Sequence, residues 1–87
     1  MNYTVIWKTS VLDHLADLYV GSSLPERERM AQGVESLNVR LAADPLNEGE
    51  SRGGALRIVF LPLMTATFSV DEPNHTVRVI NLTRYGH

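Results

Sequence analysis

The chain has 87 residues, no cysteine and a formal net charge of −2. This length predicts a single domain that spans residues 1–87, and the missing cysteines exclude a disulfide framework, a thiolate nucleophile and a zinc site built on cysteine. The acidic balance disfavours a dedicated nucleic-acid binder, which usually presents a basic patch. No stretch has the apolar length of a secretion signal or a membrane span, so we expect a cytoplasmic protein without a membrane partner.

A short strand and a helix are predicted at the start of the chain. Residues Tyr3–Trp7 are β-branched and aromatic, which is the composition of a strand. Thr9 or Ser10 offers an N-cap for a first helix of roughly ten residues, in which apolar side chains recur at helical spacing. Gly21 follows at the place where a helix often ends in the left-handed conformation.

A second helix is predicted between a serine cap, Ser22 or Ser23, and the Asp44-Pro45 pair, which ends it near Ala43. One apolar stripe recurs along it at i, i+4, i+7 and i+11, and consists of Met30, Val34, Leu37 and Leu41. Two helices with one apolar stripe each predict a helical hairpin that covers one face of a sheet.

Three further strands are predicted at 55–61, 64–70 and 76 to about 83, after a polar loop at 46–54. Apolar residues alternate with threonine and serine in the middle strand, which predicts one buried face. In the strand before it, Leu56 and Ile58 are interpreted as inward, so that Arg57 faces the other way and is either exposed to solvent or covered by a partner protein. The order is β-α-α-β-β-β, an α+β fold with a helical hairpin on one face of a mainly antiparallel four-stranded sheet.

This order and several segments resemble the RelE/ParE superfamily of bacterial type II toxins. The segments are the Tyr3–Lys8 strand, LDHLADLY in the first helix, LAADPL at the end of the second, and the strands LRIVF and VRVINLTRY. The resemblance covers almost the whole chain. It implies a compact toxin that is neutralised by a small antitoxin, as a homodimer or a toxin–antitoxin hetero-oligomer.

The superfamily divides by mechanism. RelE-like members cut mRNA in the ribosomal A site and use the 2′-hydroxyl of the RNA as nucleophile, whereas ParE-like members inhibit DNA gyrase and are not regarded as nucleases. A metal-free ribonuclease needs a base, cations that stabilise the oxyanion, and an acid for the leaving oxygen. Ribosome and mRNA, or DNA gyrase, are therefore the expected partners beside the antitoxin, and neither a cofactor nor a metal is expected.

The tail resembles the aromatic-and-histidine ending of YoeB-type members, in which the last residues reach into the site. This likeness implies Arg84, Tyr85 and His87 as catalytic residues. A loop glutamate, Glu50 or its neighbour Glu48, matches the proposed general base. Arg57 completes the catalytic candidates. Arg52 and Arg78 are expected to bind RNA, because a guanidinium holds a phosphate with two donors and stays charged.

Other interpretations of these residues stay open at the level of sequence. Arg78 and Arg84 also fit solvated cations on the exposed face of the last strand, and Tyr85 fits an aromatic residue packed at the rim of the sheet. Thr65 stands where RelE-like and YoeB-like sequences usually place an arginine, and a threonine carries no charge for a phosphate. A gyrase inhibitor and a non-toxic protein that only binds its antitoxin are therefore the alternatives to a ribonuclease.

Overall fold

The computed structural model describes residues 2–85. Two helices, one 3₁₀ turn and five strands follow one another as β1 (Thr4–Trp7), α1 (Thr9–Val20), α2 (Leu24–Ala43), the turn Pro45–Asn47, β2 (Glu50–Ser51), β3 (Leu56–Leu61), β4 (Met64–Asp71) and β5 (Thr76–Arg84). The strands form one sheet in the order β1-β5-β4-β3-β2, in which only the β1–β5 pair is parallel. The predicted α+β fold and the order of its predicted elements are confirmed.

The sheet has five strands and not the predicted four, because part of the predicted 46–54 loop forms β2. Glu50 pairs with Ile58 and Ser51 with Arg57, antiparallel to β3. Gly49 lies in the left-handed region at φ 66°, and a Cβ there would stand 2.2 Å from the Ile58 carbonyl oxygen. Glycine is thus the residue that lets the chain fold back this closely along β3.

The two ends of α1 differ from their predictions. The helix begins at Thr9 itself, so Lys8 takes the N-cap position, and no side chain caps it. The Lys8 N–H donates to the Val79 carbonyl at 3.1 Å, which fixes the start of the helix directly to the sheet. Gly21 has φ −82° and not a left-handed value; its N–H donates to the Asp17 carbonyl at 3.1 Å and continues the helical pattern for one more residue.

The predicted bounds of α2 are confirmed, with Ser23 as its N-cap. The Ser23 N–H donates to Glu26 Oε1 at 2.9 Å, and the Glu26 N–H donates to Ser23 Oγ at 3.3 Å, which is a capping box. Pro25 lies in the first turn, where its missing N–H leaves no hydrogen bond unmade. Neither helix in residues 2–85 is long and apolar enough to cross a membrane.

One hydrophobic core lies between the helices and the sheet. It is formed by side chains from both layers, with the alternating residues of β4 at its centre: Val11, Leu15, Met30, Leu37, Leu41, Val59, Leu61, Met64, Ala66, Phe68, Val70, Val77, Val79 and Leu82. The Trp7 indole N–H donates to Asn38 Oδ1 at 2.6 Å and joins β1 to α2 across this layer. The predicted buried face of β4 is therefore confirmed.

A β-bulge changes which side chains of β5 face the helices. Thr67 pairs with Asn81 and Phe68 with Val79, so that Ile80 is an extra residue in β5. Before the bulge, the residues at 77 and 79 point into the core; after it, those at 82 and 84 lie on the side of the helices. The bulge therefore places Arg84 on the opposite face of the sheet from Arg78.

Candidate functional site

The face of the sheet opposite the helices, which we call the open face, is the surface on which the sequence predicts the working site. The pairing register and the burial of each residue show which side chains lie on it, with short polar ones in the centre and larger apolar ones at the sides. They are Thr4, Ile6, Glu50, Leu56, Ile58, Phe60, Thr65, Thr67, Ser69, Asp71, Thr76, Arg78, Ile80, Asn81 and Thr83. Its charged residues are one cation, Arg78, and two carboxylates, Asp71 and Glu50. A phosphate-binding surface requires the opposite balance.

Arg84 lies on the helix-covered side of the sheet and joins β5 to the start of α2. Its Nη2 donates to Glu26 Oε2 at 2.9 Å, and its Nη1 lies 3.4 Å from Ser22 Oγ. The side chain is only 22% exposed. The expectation of a solvated cation on the exposed face is therefore wrong, because the bulge turns this residue inward.

Glu26, the carboxylate of the same ion pair, has a lowered pKa. A hydrogen bond from the Ser23 backbone N–H, followed by the one from the Arg84 guanidinium, holds the pKa of the Glu26 carboxyl below its ordinary value. Glu26 is thus ionised at neutral pH and occupied by two donors. The two groups pair at a partly exposed site on the helix-covered side, and this arrangement joins β5 to α2.

Arg57 also lies on the helix-covered side. It pairs with Phe68, whose side chain is buried, so the interpretation of Leu56 and Ile58 as inward residues is wrong; Val59 and Leu61 face the core instead. The Arg57 Nε donates to the Glu48 carbonyl at 2.8 Å and its Nη2 to the Gly49 carbonyl at 3.2 Å. These bonds hold the loop that leads into β2.

Tyr85 is occupied by contacts with the β3–β4 turn. Its hydroxyl donates to the Leu61 carbonyl at 2.8 Å, and its N–H donates to the Leu63 carbonyl at 3.0 Å. The ring meets Phe60 edge-on, with 6.1 Å between the centroids. This geometry matches the rim-packing interpretation, and a hydroxyl proton bonded to a carbonyl is not directed at a substrate.

The remaining predicted site residues lie apart from one another. Glu50 and Arg52 form an exposed ion pair at 3.5 Å beside β2. Because β2 and β5 are three strand spacings apart, Glu50 is about 14 Å from β5 across the sheet. Arg78 lies in the open face between Ile6 and Ser69. His87 lies outside the described residues.

Thr65 stands in the middle of the open face. It pairs with Phe60 on one side and with Thr83 on the other, on the surface where the sequence resemblance implies an arginine. Threonine here keeps the centre of the face small and uncharged. Within residues 2–85, no group of three histidine or carboxylate residues is arranged to hold a metal ion.

Comparison with known proteins identifies the fold. No protein-family model matches the sequence, and no curated protein matches it either. A chain in the crystal structure of the RelBE2 toxin–antitoxin complex of Mycobacterium tuberculosis superposes with a TM-score of 0.77 at 18% identity, over 100% of this chain and 95% of that one. The chain has the RelE/ParE toxin fold.

Both branches of the RelE/ParE fold are represented among the similar structures. A structure of the free E. coli RelE toxin, in mutant form, matches with a TM-score of 0.68 at 16% identity, over 97% of this chain and 84% of that one. The chromosomal ParDE system of P. aeruginosa matches with the same TM-score at 20% identity, over 97% of each chain. The resemblance inferred from sequence is confirmed for the fold, and the two scores favour neither branch.

Within this RelE/ParE fold, sequence reasoning missed the partner of Arg84. The sequence does contain part of the signal for this contact. Ser23 and Glu26 have the spacing of a capping box, which places a carboxylate at the start of α2. In β5 the buried positions change from odd numbers, Val77 and Val79, to an even one, Leu82, which is the mark of a one-residue bulge.

Proposed function

We propose that this protein is the toxin-fold member of a type II toxin–antitoxin pair, and that it acts by binding a protein target and not by cutting RNA. The fold supports the first part, because the similar structures are named as toxin or toxin–antitoxin proteins. The position of Arg84 carries the second part: its guanidinium is paired with Glu26 on the helix-covered side of the sheet.

The chemistry of RNA cleavage explains why this position matters. Transfer of the 2′-hydroxyl proton and stabilisation of the oxyanion require a base and cations around one phosphate. The candidate cations Arg57 and Arg84 bind groups of this chain on the helix side, while Glu50 belongs to the far edge of the sheet. The open face brings one cation, Arg78, to a surface of threonine and serine. This arrangement supports recognition of a protein surface better than phosphate chemistry.

The antitoxin is the first expected partner. Similar structures include toxin–antitoxin complexes from both branches of the fold. A domain of this size buries only about 60–65% of the surface that its unfolded chain exposes. A partner that covers more of this surface therefore adds comparatively much to the stability of the domain. We therefore propose a cytoplasmic hetero-oligomer with a small protein encoded next to this one. Among the targets of the fold, DNA gyrase fits a binding mechanism, so it is the target to test first.

Induced expression in bacteria tests the mechanism. We expect growth arrest with gyrase-linked DNA breaks, and no new mRNA ends at ribosomal A sites. Arg78→Ala should weaken the growth arrest, because Arg78 is the cation of the open face. Arg27→Ala, on the outer surface of α2, is its matched control and should leave the growth arrest unchanged. A-site cleavage by the wild-type protein would contradict the proposal, as would unimpaired growth without any effect on gyrase, which would leave a non-toxic antitoxin-binding protein.

The antitoxin is tested by co-expression with the adjacent small open reading frame. A partner that binds only the folded state at a free concentration of 100 times its Kd stabilises by about 2.7 kcal/mol, so the melting temperature should rise by roughly 10 °C or more. Growth should also resume. An unchanged melting temperature in the presence of saturating partner would remove the antitoxin from the proposal.

A further inference from the structure

A small apolar depression opens where β1 meets α1, at the β1 edge of the open face. It has a volume of about 450 Å³ and is lined by Ile6, Trp7, Lys8, Thr9, Arg78 and Ile80. Ile6 and Arg78 are neighbours in the β1–β5 register, and Ile80 is the bulged residue of β5. The bulge that turns Arg84 inward therefore also contributes an apolar side chain to this depression.

The two cations of the depression are distinguished by their lack of partners. Three of the eight Lys and Arg residues bind carboxylates and Arg57 binds loop carbonyls. The other four cations, Lys8, Arg27, Arg29 and Arg78, have neither a carboxylate within 4.0 Å nor a side-chain hydrogen bond within residues 2–85. Two of these four, Lys8 and Arg78, line the same depression, and no carboxylate lines it with them.

Three other cavities of the described chain lack this combination. One of about 390 Å³ also has two cations on its wall, but one of these, Arg40, is paired with Glu48 at 3.5 Å. Another, of about 550 Å³, is lined by a single cation, Arg57, and by the two carboxylates of Asp71 and Glu72, so its charge is negative. An apolar depression with two unpaired cations on its wall suits a ligand that joins an apolar group to a carboxylate. A phosphate backbone would need a longer row of cations, and the adjoining open face carries Asp71 and Glu50 instead.

We propose that this depression, which we call the β1 pocket, binds an acidic–aliphatic segment of a protein partner. An aliphatic side chain of the segment packs against Ile6 and Ile80, and a neighbouring Asp or Glu carboxylate lies between Lys8 and Arg78. Thr9 also lines the depression. This inference rests on the proposed function in taking the ligand from a protein partner, and it adds the site and the chemistry of recognition.

A defined peptide probes the pocket directly. Acetyl-Leu-Glu-Leu-Glu-Leu-amide is titrated into the isotope-labelled full chain, and the amide resonances of Ile6, Thr9, Arg78 and Ile80 are followed. We expect saturable shifts at these amides. The same peptide with glutamine in place of glutamate should bind roughly three to five times more weakly, because a partly exposed charge pair contributes up to about a factor of five in affinity.

Matched variants separate the pocket from the general charge of the protein. Lys8→Gln and Arg78→Gln should each weaken binding roughly three- to fivefold, whereas Arg27→Gln, which removes an unpaired cation elsewhere, should leave it unchanged. The melting temperature of each variant, together with unchanged amide resonances in the core strand β4, reports that it is folded; emission from Trp7 is unsuited to this, because Trp7 itself lines the pocket. Ile80→Ala should weaken both peptides alike by removing apolar contact.

Three results would overturn the inference: equal binding of the glutamate and glutamine peptides, shifts that map away from the β1 pocket, or tighter binding of an octathymidylate at the same amides. The peptide experiment does not depend on toxicity. A protein that binds the peptide but leaves growth and gyrase unaffected contradicts the proposed function alone, and a protein that arrests growth through gyrase without binding the peptide contradicts the pocket alone.

Discussion

Arg84 joins two parts of the molecule that lie 58 residues apart in the chain. Its contact with Glu26 connects the last strand with the first turn of α2, and its Nη1 lies 3.7 Å from the sulfur of the buried Met30. An exposed ion pair contributes little to stability, but this guanidinium is mostly covered and sits beside a capping box. At the scale of the residue, Arg84 makes a structural contact between β5 and α2.

Replacement of Arg84 by methionine should therefore lower the melting temperature. We expect a fall of about 2–5 °C, since a hydrogen-bonded ion pair is lost while the aliphatic bulk is kept. Arg27→Met, at an exposed cation of α2 that has no carboxylate within 4.0 Å in the described chain, should change it by less than about 1 °C. In a double-mutant cycle, Glu26→Gln added to Arg84→Met should cost less than the sum of the single changes; additive effects would show that the two side chains do not interact.

The pH dependence of this contact follows from the lowered pKa of Glu26. Folding favours the ionised carboxylate, so the stabilisation is complete above the ordinary pKa of about 4.5 and is lost as the pH falls through the lower folded value. The difference in melting temperature between wild type and Glu26→Gln should therefore be full at neutral pH and shrink below about pH 4.5. A difference that stays constant down to acid unfolding would contradict this linkage.

At the scale of the element, α2 packs closely on the β3–β4 turn through Gly33. A Cβ placed on Gly33 would lie 2.9 Å from Pro62 Cδ and 3.7 Å from Leu61 Cβ. The proline ring cannot swing away like the end of a flexible side chain. A glycine in the middle of a helix, which costs about 1 kcal/mol relative to alanine, is thus explained by the approach of the two elements.

Gly33→Ala should destabilise the protein although it improves the helix. Overpacking costs about 1–3 kcal/mol and exceeds the gain in helix propensity of about 1 kcal/mol, so we expect a lower melting temperature in thermal unfolding. Gly21→Ala is the matched control, because its Cβ would meet nothing closer than the Asp17 carbonyl oxygen at 3.7 Å and its φ of −82° suits alanine. It should be neutral or stabilising; a stabilising Gly33→Ala would refute the close contact.

The helices and strands also show what could and could not be predicted from the sequence. Local signals were sufficient for the bounds of α2, where a serine cap and the Asp44-Pro45 pair stand at its ends, and for β4, where polar and apolar residues alternate. The faces of Arg57 and Arg84 depend on register with neighbouring strands, and β2 depends on the backbone of Gly49. Such contacts are set by distant partners, so local pattern placed both arginines wrongly and left β2 in a loop.

At the scale of the whole molecule, a single thin core holds the two layers together. Phe68 lies at its centre, fully buried between sheet and helices, while Phe60, the other phenylalanine of the chain, is 61% exposed on the open face. Domains of this kind are stable by only about 5–15 kcal/mol in total. The loss of one central side chain is therefore a large fraction of the stability of this fold.

Phe68→Ala should cost about 3–5 kcal/mol and lower the melting temperature by roughly 15–30 °C. Phe60→Ala should cost about 1 kcal/mol or less, mainly through its edge-on contact with Tyr85. Urea unfolding of both variants measures the difference. Similar losses at the two positions would mean that the open face is covered in solution, for instance by a second copy of the chain.

The short strand β2 has a further consequence for the protein at high concentration. With Arg57 fastened to the carbonyls of Glu48 and Gly49, this two-residue strand stays against the first half of β3 and occupies backbone groups that would otherwise recruit a strand from another molecule. Its length is too small to offer a new template in its place. We therefore expect that replacing Arg57 or Gly49 would first cause aggregation during overexpression, before any loss of fold.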